Sequence, residues 1–567
     1  MFVVFEGIDG SGKTTVSNLV AERLSGAGLK VKHLRADGKF VSQVTESIRD
    51  LGRDARNLEL VPQAEFFLYV ARDVQLIEEA LRPALAAHDL IIADRFLYTA
   101  EILGSAGRKL SQSFMRPILD QAAGGIQPDL VVLVDVDPVL ARARRKAFKI
   151  AVKDKRPPSR KGLAGVGLQH RMRRGYLELA QASPDRWVVV DNEDELETTV
   201  ARVTELVRHT IARGAPAAIS AFRTEQNARP APQPVESWQG AFDAFVRWID
   251  QRAEREPRVA AYLLSGLFGA GVDERRRTLS ERVPEAILAG LSGLDDEVSW
   301  ELREAAAEKF PAAVAKTLAG FAFSHQRAGA LRKRLQAVAL NEIIASVEGL
   351  DDEASWQLRE GSFESSPNQV MSSLAHLGSE RAWALRERWL RAAGASLGKN
   401  YEEARIACKS VSGLDDDRAW AIRAAARGPA PVSALSSVNG LLSPRSFEVR
   451  EENLDRAPKV VMGTLRRVTL EPAWRLRRAV AADCKEAIDS IDSLDAAEAW
   501  ELRDLYADTW PSTVVKTLGP LADGPRGRAL VQRQLQKYPG NVSLLKHVAA
   551  ACLGLHRMKN QGEGLDP

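Results

Sequence analysis

Residues Phe2–Glu6 read as a short apolar strand and run directly into Gly7-Ile8-Asp9-Gly10-Ser11-Gly12-Lys13-Thr14 and then a helix. A strand, a G-x-x-x-x-G-K-T loop and a helix in succession leave few folds open, because the loop binds phosphate only when it curls between those two elements. Its glycines let successive backbone N–H groups turn toward phosphate oxygens. Lys13 is placed to reach the β- and γ-phosphates, and Thr14 offers a hydroxyl to Mg²⁺. Gly7, Asp9, Gly10, Ser11, Gly12, Lys13, Thr14 and Thr15 are therefore the expected cradle of a nucleoside triphosphate. The alternative, a chance glycine-rich turn between a strand and a helix, leaves the strand–loop–helix order without a reason.

The next two hundred residues alternate strand and helix. Apolar strands are expected at Phe2–Glu6, Lys30–Leu34, Leu90–Ala93, Leu130–Val134 and Trp187–Val190, with helices around Val16–Leu24, Ala64–Ala86 and Gln112–Ala122. That order argues an α/β fold: a P-loop doubly wound five-stranded parallel sheet with helices on both faces, binding ligands along its carboxyl edge. Arg35 follows the second strand, Arg72 lies on the long helix and Arg95 follows the third strand. A guanidinium fork suits phosphate, and an acceptor that is already anionic needs positioning and charge neutralisation more than a base. Taken singly, each arginine could equally be a surface residue or a partner of Asp37, Asp73 or Asp94.

Several function classes are set aside by composition. The 567 residues are too many for one core. With 79 basic and 75 acidic residues the net charge is only +4, which implies neither a nucleic-acid nor a membrane partner. Cys408, Cys484 and Cys552 lack the spacing of a disulfide framework or a zinc site. No basic leader and no membrane-length apolar run stand out, so a cytoplasmic location is expected.

Phe5-Glu6-Gly7-Ile8-Asp9-Gly10-Ser11-Gly12-Lys13-Thr14-Thr15, Asp94-Arg95-Phe96, Pro128-Asp129-Leu130 through Asp135-Val136-Asp137-Pro138, Ala141-Arg142-Ala143-Arg144-Arg145 and Arg173-Arg174-Gly175-Tyr176-Leu177-Glu178-Leu179 occur in that order. Together they resemble thymidylate kinase over roughly residues 1–210. The resemblance implies transfer of the γ-phosphoryl group of ATP to dTMP with Mg²⁺. It places Asp9 near the acceptor sugar, Arg95 and Arg35 on the acceptor phosphate, and Asp94 with Thr14 at Mg²⁺. A homodimer is also compatible with it. One variant of the family carries an arginine inside the P-loop, where this chain has Gly10, so the balancing charge is expected from a lid.

The lid candidate is Arg142–Arg174, with thirteen Lys or Arg residues and one acid, Asp154. Concentrated positive charge suits a flap that closes over phosphates, with Arg142 and Arg145 as the catalytic candidates. A nucleic-acid contact and a solvated helix face are the other readings of such a run. Pro157-Pro158 with Gly162, Gly165 and Gly167 predict a loop in its middle.

This chain departs from the family pattern at four places. Arg35-Ala36-Asp37-Gly38 replaces Arg-Glu-Pro-Gly, and the helix that usually carries Asp-Arg reads Arg72-Asp73. The aromatic that stacks on the base corresponds to Tyr69 or Phe67. Glu101-Ile102-Leu103-Gly104 stands where Tyr-Gln-Gly reads the base, and the lid lacks its acidic turn. Loss of paired hydrogen-bonding groups weakens base discrimination more than it weakens phosphoryl transfer.

Three regions follow: a kinase-like domain at 1–212, a Pro/Ala-rich linker at 213–240 containing Pro216, Pro230, Pro232 and Pro234, and an all-α solenoid at 241–567. In the last region Trp-x-Leu-Arg or a variant begins at Trp300, Trp356, Trp383, Trp420, Phe447, Trp474 and Trp500, with weaker copies at Gly329 and Arg528. The spacings are 29, 27, 27, 37, 27, 27, 26 and 28 residues, which sets a period near 27. Proline lies eleven residues after the first position at Pro311, Pro367, Pro431, Pro458, Pro511 and Pro539, so each repeat reads as helix, turn and Pro-started helix. Such hairpins must stack to cover their apolar stripes, giving a solenoid that resembles HEAT-like repeats. The tryptophans read as an inter-repeat core, the Leu-Asp-Asp steps as helix starts, and Arg303, Arg359, Arg423 and Arg503 as partners of the Asp turns. The whole chain then reads as a nucleoside monophosphate kinase carrying a solenoid for an unidentified protein partner. The alternative is an ATP-gated interaction protein without monophosphate kinase activity.

Overall fold

The computed structural model describes residues 1–35, 42–152, 159–193, 195–227, 235, 237–269, 271–393 and 397–554. Of the residues singled out from the sequence, Ala36, Asp37, Gly38, Asp154, Pro157, Pro158, Pro230, Pro232 and Pro234 lie outside the described residues. The chain divides into two compact units, Met1–Arg145 with Pro157–Ala231 and Lys146–Arg156 with Pro232–Pro567.

In the first unit, β1 (Phe2–Glu6), β2 (Val31–His33), β3 (Leu90–Asp94), β4 (Leu130–Asp135) and β5 (Trp187–Asp191) form one parallel sheet in the order β2-β3-β1-β4-β5. Phe5 pairs with Asp94 and Glu6 with Leu133, so the carboxyl ends of the three central strands lie side by side. Phe2–Phe5, Leu90–Ala93 and Leu130–Val134 are buried along their whole length. Strands covered on both faces read as unbroken apolar runs, which is why they were legible without alternation.

The helices are α1 (Lys13–Gly26), α2 (Gln43–Arg53), α3 (Pro62–Leu76), α4 (Arg82–Ala87), α5 (Tyr98–Ile102), α6 (Gln112–Ala123), α7 (Pro138–Ala151), α8 (Arg160–Leu163), α9 (Gly165–Ala182), α10 (Leu196–Arg213) and α11 (Ala215–Asn227). A π turn at Ile77–Leu81 joins α3 to α4, and another at Leu103–Gly107 follows α5.

Two sequence expectations change here. The first half of the expected linker is helical: in α11, Ala218, Ile219 and Phe222 join Val16 and Val20 of α1 and Val200, Val203 and Val207 of α10 in one apolar cluster. Three apolar side chains at helical spacing outweigh a proline at the second position of the helix, where proline is tolerated. The loop expected around Gly162, Gly165 and Gly167 is reduced to the step between α8 and α9. Gly165 takes the left-handed turn at φ +79°, while Leu163, Val166, Leu168, Met172 and Tyr176 are buried and carry the flanking residues into helix.

The second unit is built from helical hairpins. Its second helices, among them Pro257–Leu263, Pro311–Lys316, Pro367–Ser373, Pro431–Ser436, Pro458–Gly463 and Pro511–Lys516, start at proline and stack one on the next. Pro539 is an exception, since the last helix begins at Val542 behind an Asn541 cap. The final helix Val542–Cys552 packs on the first helix of the unit, Trp238–Arg255. Lys546 Nζ donates to Ser265 O at 2.9 Å, and Arg528 lies 6.0 Å from the Trp238 ring centre. The stack therefore closes on itself instead of ending in two free caps.

Trp300, Trp356, Trp383, Trp420, Trp474 and Trp500 are buried, as a repeat core requires. Asp296, Asp352 and Asp416 cap helix N-termini through Ser299, Ser355 and Ala419 N–H groups. Arg303, Arg359, Arg423 and Arg503 do not use the Asp turns of neighbouring repeats. They are buried and donate to main-chain carbonyls of the chain that joins the preceding hairpin to their own helix and to a Ser or Thr hydroxyl at the end of their own second helix; Arg359, for example, reaches Leu350 O at 2.8 Å, Val347 O at 2.5 Å and Ser373 Oγ at 3.1 Å. A guanidinium that far from water needs several fixed acceptors, which the helix ends supply. The turn carboxylates instead accept indole N–H groups, as Asp295 does from Trp300 at 2.7 Å and Asp351 from Trp356 at 2.7 Å.

Candidate active site

The loop between β1 and α1 is held from outside. Asn192 Nδ2 donates to Ser11 O at 2.7 Å, and a Cβ on Gly12, whose φ is +91°, would come within 2.4 Å of that same nitrogen. Gly10, at φ +93°, lies beneath the first turn of α7: an added Cβ would meet Ala141 O at 2.3 Å and Arg145 Cγ at 2.9 Å. Gly10 therefore does more than leave room for an arginine from elsewhere, because the lid helix rests on it. Lys13 opens α1 and donates to Ile8 O at 3.2 Å. Burial and the nearby Arg95 bring its ammonium down to about 8 against the pull of Asp94 and Asp9. Thr15, in the same first turn, is exposed.

Asp94 ends β3 and Arg95 follows it. Thr14 Oγ1 donates to Asp94 Oδ2 at 2.5 Å, and Arg35 Nη1 lies 3.7 Å from the same oxygen. Burial raises the Asp94 carboxyl, but Lys13, Arg35 and Arg95 outweigh it and hold the group below its ordinary value. Asp94 Oδ1 is buried and lacks a hydrogen-bond donor among the described residues. An ionised carboxylate oxygen without a partner beside a threonine hydroxyl fits a hard divalent cation such as Mg²⁺.

Arg95 is the centre of a buried polar network. Its φ of +83° is left-handed, a conformation that a non-glycine residue keeps only when its surroundings fix it. Nη2 donates to Asp9 Oδ1 and Nη1 to Thr99 Oγ1 at 3.0 Å and Tyr176 OH at 3.4 Å. Behind it sits Glu6, fully buried, accepting from Phe96 N–H at 3.0 Å, Thr99 Oγ1 at 2.9 Å and Tyr176 OH at 2.9 Å. Arg95 Nη1 is 3.7 Å from Glu6. Burial pushes the Glu6 carboxyl above its ordinary value despite Arg95. Burial also acts against the Asp9 carboxylate, but Arg95, Lys161 and Lys13 bring it well below.

On α3, Tyr69 is buried with the Arg72 guanidinium 4.8 Å from its ring centre and Lys161 Nζ of α8 also at 4.8 Å. Arg72 Nε and Nη2 both donate to Asp73 Oδ1, at 2.7 and 2.5 Å. Phe67 is half exposed and packs edge-on to Phe114 at 5.9 Å, whereas Tyr69 is buried. Phe66, Tyr69, Ala100, Leu103, Glu65 and Arg108 line a small recess beside it. Glu65 is occupied by Arg108, with Nε donating at 2.6 Å.

The structure thus brings together Gly7, Asp9, Gly10, Ser11, Gly12, Lys13, Thr14, Arg35, Asp94 and Arg95, sets Tyr69 and Arg72 on the neighbouring helix, and places Arg142 and Arg145 on α7. Sequence reasoning missed Glu6, Thr99, Tyr176 and Asn192 as a supporting set. An acid inside an otherwise apolar strand was the available signal for Glu6; nothing local marked Thr99 or Asn192. Arg173, read only as part of a motif, makes a two-point pair with Asp135 at 2.7 and 2.7 Å.

A family model for thymidylate kinase matches residues 5–203. Thymidylate kinase from Geobacter sulfurreducens is 33% identical over 212 residues, 37% of this chain and 98% of that protein. The enzyme of the same name from Deinococcus radiodurans is 36% identical over 211 residues, 36% of this chain and 97% of that protein. The chain belongs to the thymidylate kinase family. Its first unit is an ATP- and Mg²⁺-dependent phosphotransferase, while the helical hairpins lie beyond the matched residues. Among the described residues, no helix is long and apolar enough to cross a membrane.

Proposed function

We propose that the first unit transfers the γ-phosphoryl group of ATP to dTMP, giving ADP and dTDP, and that the helical unit binds a protein partner or regulates the kinase. The observation that carries the catalytic reading is Arg95, fixed in a left-handed conformation by Glu6, Thr99 and Tyr176 with its fork turned toward Asp9 beside the P-loop.

The N–H groups of the P-loop and Lys13 bind the donor phosphates. Mg²⁺ held by Thr14 and Asp94 would supply charge neutralisation between donor phosphates. Arg95 and Arg35 hold the acceptor phosphate in line, Asp9 faces the acceptor sugar, and Tyr69 supplies an aromatic face for the base. Arg142 and Arg145 on α7 provide the positive charge that the P-loop lacks at Gly10. Since an acceptor phosphate is already ionised, no side chain has to remove a proton from it.

ADP release by the full chain, measured over a panel of deoxy- and ribonucleoside monophosphates with Lys13→Ala as control, tests this reading. Turnover with dTMP that is lost in the control is expected; absence of turnover with every monophosphate would sink it. Nucleotide-dependent capture of a protein without monophosphate turnover would favour an ATP-gated interaction protein.

A further inference from the structure

The donor cradle is glycine-rich and so free to turn its peptide groups either way, yet one of them is fixed from outside the loop. Ser11 lies between Gly10 and Gly12, whose φ values of +93° and +91° belong to a region that glycine enters and leaves at little cost. The Ser11–Gly12 peptide can therefore rotate as a plate, exchanging the sides on which its C=O and N–H lie. In a trans peptide these two groups point in opposite directions, so whatever holds the Ser11 carbonyl also aims the Gly12 N–H. Asn192 holds it, with Nδ2 donating to Ser11 O at 2.7 Å. A carbonyl accepts only from the nitrogen end of that amide, which fixes the orientation of the side chain.

Asn192 is anchored on every side. It is buried and comes directly after β5, where its N–H donates to Asp135 O at 3.0 Å and extends the β4–β5 ladder by one bond. Its own carbonyl accepts from Arg144 Nη1 of α7 at 2.9 Å. One residue thus joins the sheet, the P-loop and the helix that rests on Gly10. On the loop side, the Ser11 N–H is spent on Ile8 O at 3.2 Å, whereas the Gly12 N–H donates to no protein acceptor among the described residues. A Cβ on Gly12 would come 2.4 Å from Asn192 Nδ2, so only glycine leaves the brace its place. An N–H left unpaired in such a loop is what receives a phosphate oxygen.

Resting on the donor half of the kinase reading above, we propose that Asn192 is a positioning residue for the donor phosphates, locking the Ser11–Gly12 peptide with its N–H turned into the loop. With the plate reversed, the Ser11 carbonyl would set its partial negative charge against the triphosphate, and the brace removes that arrangement before the donor arrives. Asn192 acts on the phosphates through Gly12 alone. It has no part in holding the nucleoside or the acceptor.

Calorimetric binding to the full chain with Mg²⁺, compared for ATP, inorganic tripolyphosphate and dTMP, tests the proposal without requiring turnover. Asn192→Ala should weaken ATP and tripolyphosphate together, about 3- to 10-fold, the range of one neutral hydrogen bond, and leave dTMP binding unchanged. Asn192→Asp keeps the shape but sets a carboxylate against the Ser11 carbonyl at pH 8, and should weaken both phosphate ligands further. As the pH falls the introduced carboxyl takes up a proton and its O–H donates to Ser11 O, so the deficit relative to wild type at the same pH should shrink. A side chain that only filled space would show no such rescue. Tripolyphosphate bound by a folded Asn192→Ala protein as tightly as by wild type overturns the proposal, as does a loss shared equally by dTMP or confined to ATP. Should Asn192→Ala fail to fold, a deficit in Asn192→Asp that does not change with pH overturns it instead. The expected donor losses without monophosphate turnover in the wild type support the brace and defeat the kinase reading; a wild type that binds neither ATP nor tripolyphosphate defeats both.

Discussion

Replacing Glu6 by Gln separates positioning of the acceptor arginine from integrity of the fold. Glutamine keeps the shape and can still accept from Phe96 N–H, but its amide nitrogen cannot accept from Thr99 Oγ1 and Tyr176 OH, which both lie 2.9 Å from Oε2. Each hydrogen bond to a charged acceptor contributes about 1.5–3 kcal/mol. Reorientation of the two hydroxyls to accept from the amide recovers part of that, leaving a loss of roughly 1.5–3 kcal/mol in holding Arg95 at its left-handed φ of +83°. That corresponds to about a 10- to 150-fold fall in kcat/KM for the monophosphate. The KM for ATP should stay close to wild type, because the donor cradle is held by Asn192 and the Ile8 carbonyl.

Stability should move the other way from activity. Burial raises the Glu6 carboxyl above its ordinary value. A carboxyl raised in the folded state contributes stability below its unfolded value and loses it as pH rises through the folded value, so ionised Glu6 is a burden at neutral pH. Glu6→Gln should therefore melt no lower than wild type at pH 7. Wild-type kcat/KM for the acceptor should fall as the pH drops through the raised Glu6 value, and the variant should lack that limb. Initial-rate kinetics with each substrate varied, read beside thermal unfolding, decides the matter. An acceptor kcat/KM within about twofold of wild type, or an ATP KM that rises as much as the acceptor KM, would refute the positioning role.

Lys13, which burial brings down to about 8, should lose its charge in the free enzyme above that pH, so the dissociation constant for ATP should rise between pH 7 and 9, by up to about tenfold per pH unit at the steepest; binding at constant ionic strength measures it. In the helical unit, Arg359→Met should destabilise by about 2–4 kcal/mol, the cost of orphaned carbonyls less the recovered cost of burying the guanidinium, and denaturant unfolding should show it with kinase turnover retained. Phe222→Ala should cost about 3–5 kcal/mol through the cavity left in the α1–α10–α11 cluster, seen as a lower melting temperature of the kinase unit; an unchanged melt would return Ala215–Asn227 to the status of a linker.

Much of this protein is local and was therefore legible. Unbroken apolar runs identify strands covered on both faces, and the G-x-x-x-x-G-K-T spacing identifies the donor site. A 27-residue period with a fixed proline identifies stacked hairpins. Each depends on residues near one another in the chain, and backbone stereochemistry or helical periodicity turns the spacing into shape. The residues Lys13, Asp94 and Arg95 could be named because the P-loop follows β1 and the Asp-Arg step closes β3, and the carboxyl ends of both strands must lie at the sheet edge.

What the sequence could not decide depends on partners far away in the chain. Glu6 and Tyr176 are 170 residues apart and meet only because α9 packs on β4, the strand next to β1. Asn192 closes on Ser11 only because β5 ends on the same edge. The expected linker became a helix because Phe222 joins the apolar cluster that α1 and α10 share, and the repeat arginines turned away from the Asp carboxylates because the chain joining one hairpin to the next offered main-chain carbonyls. Closure of the helical stack is of the same kind. No single repeat specifies it, since it follows from the accumulated rotation between successive hairpins, and only that rotation brings Val542–Cys552 onto Trp238–Arg255.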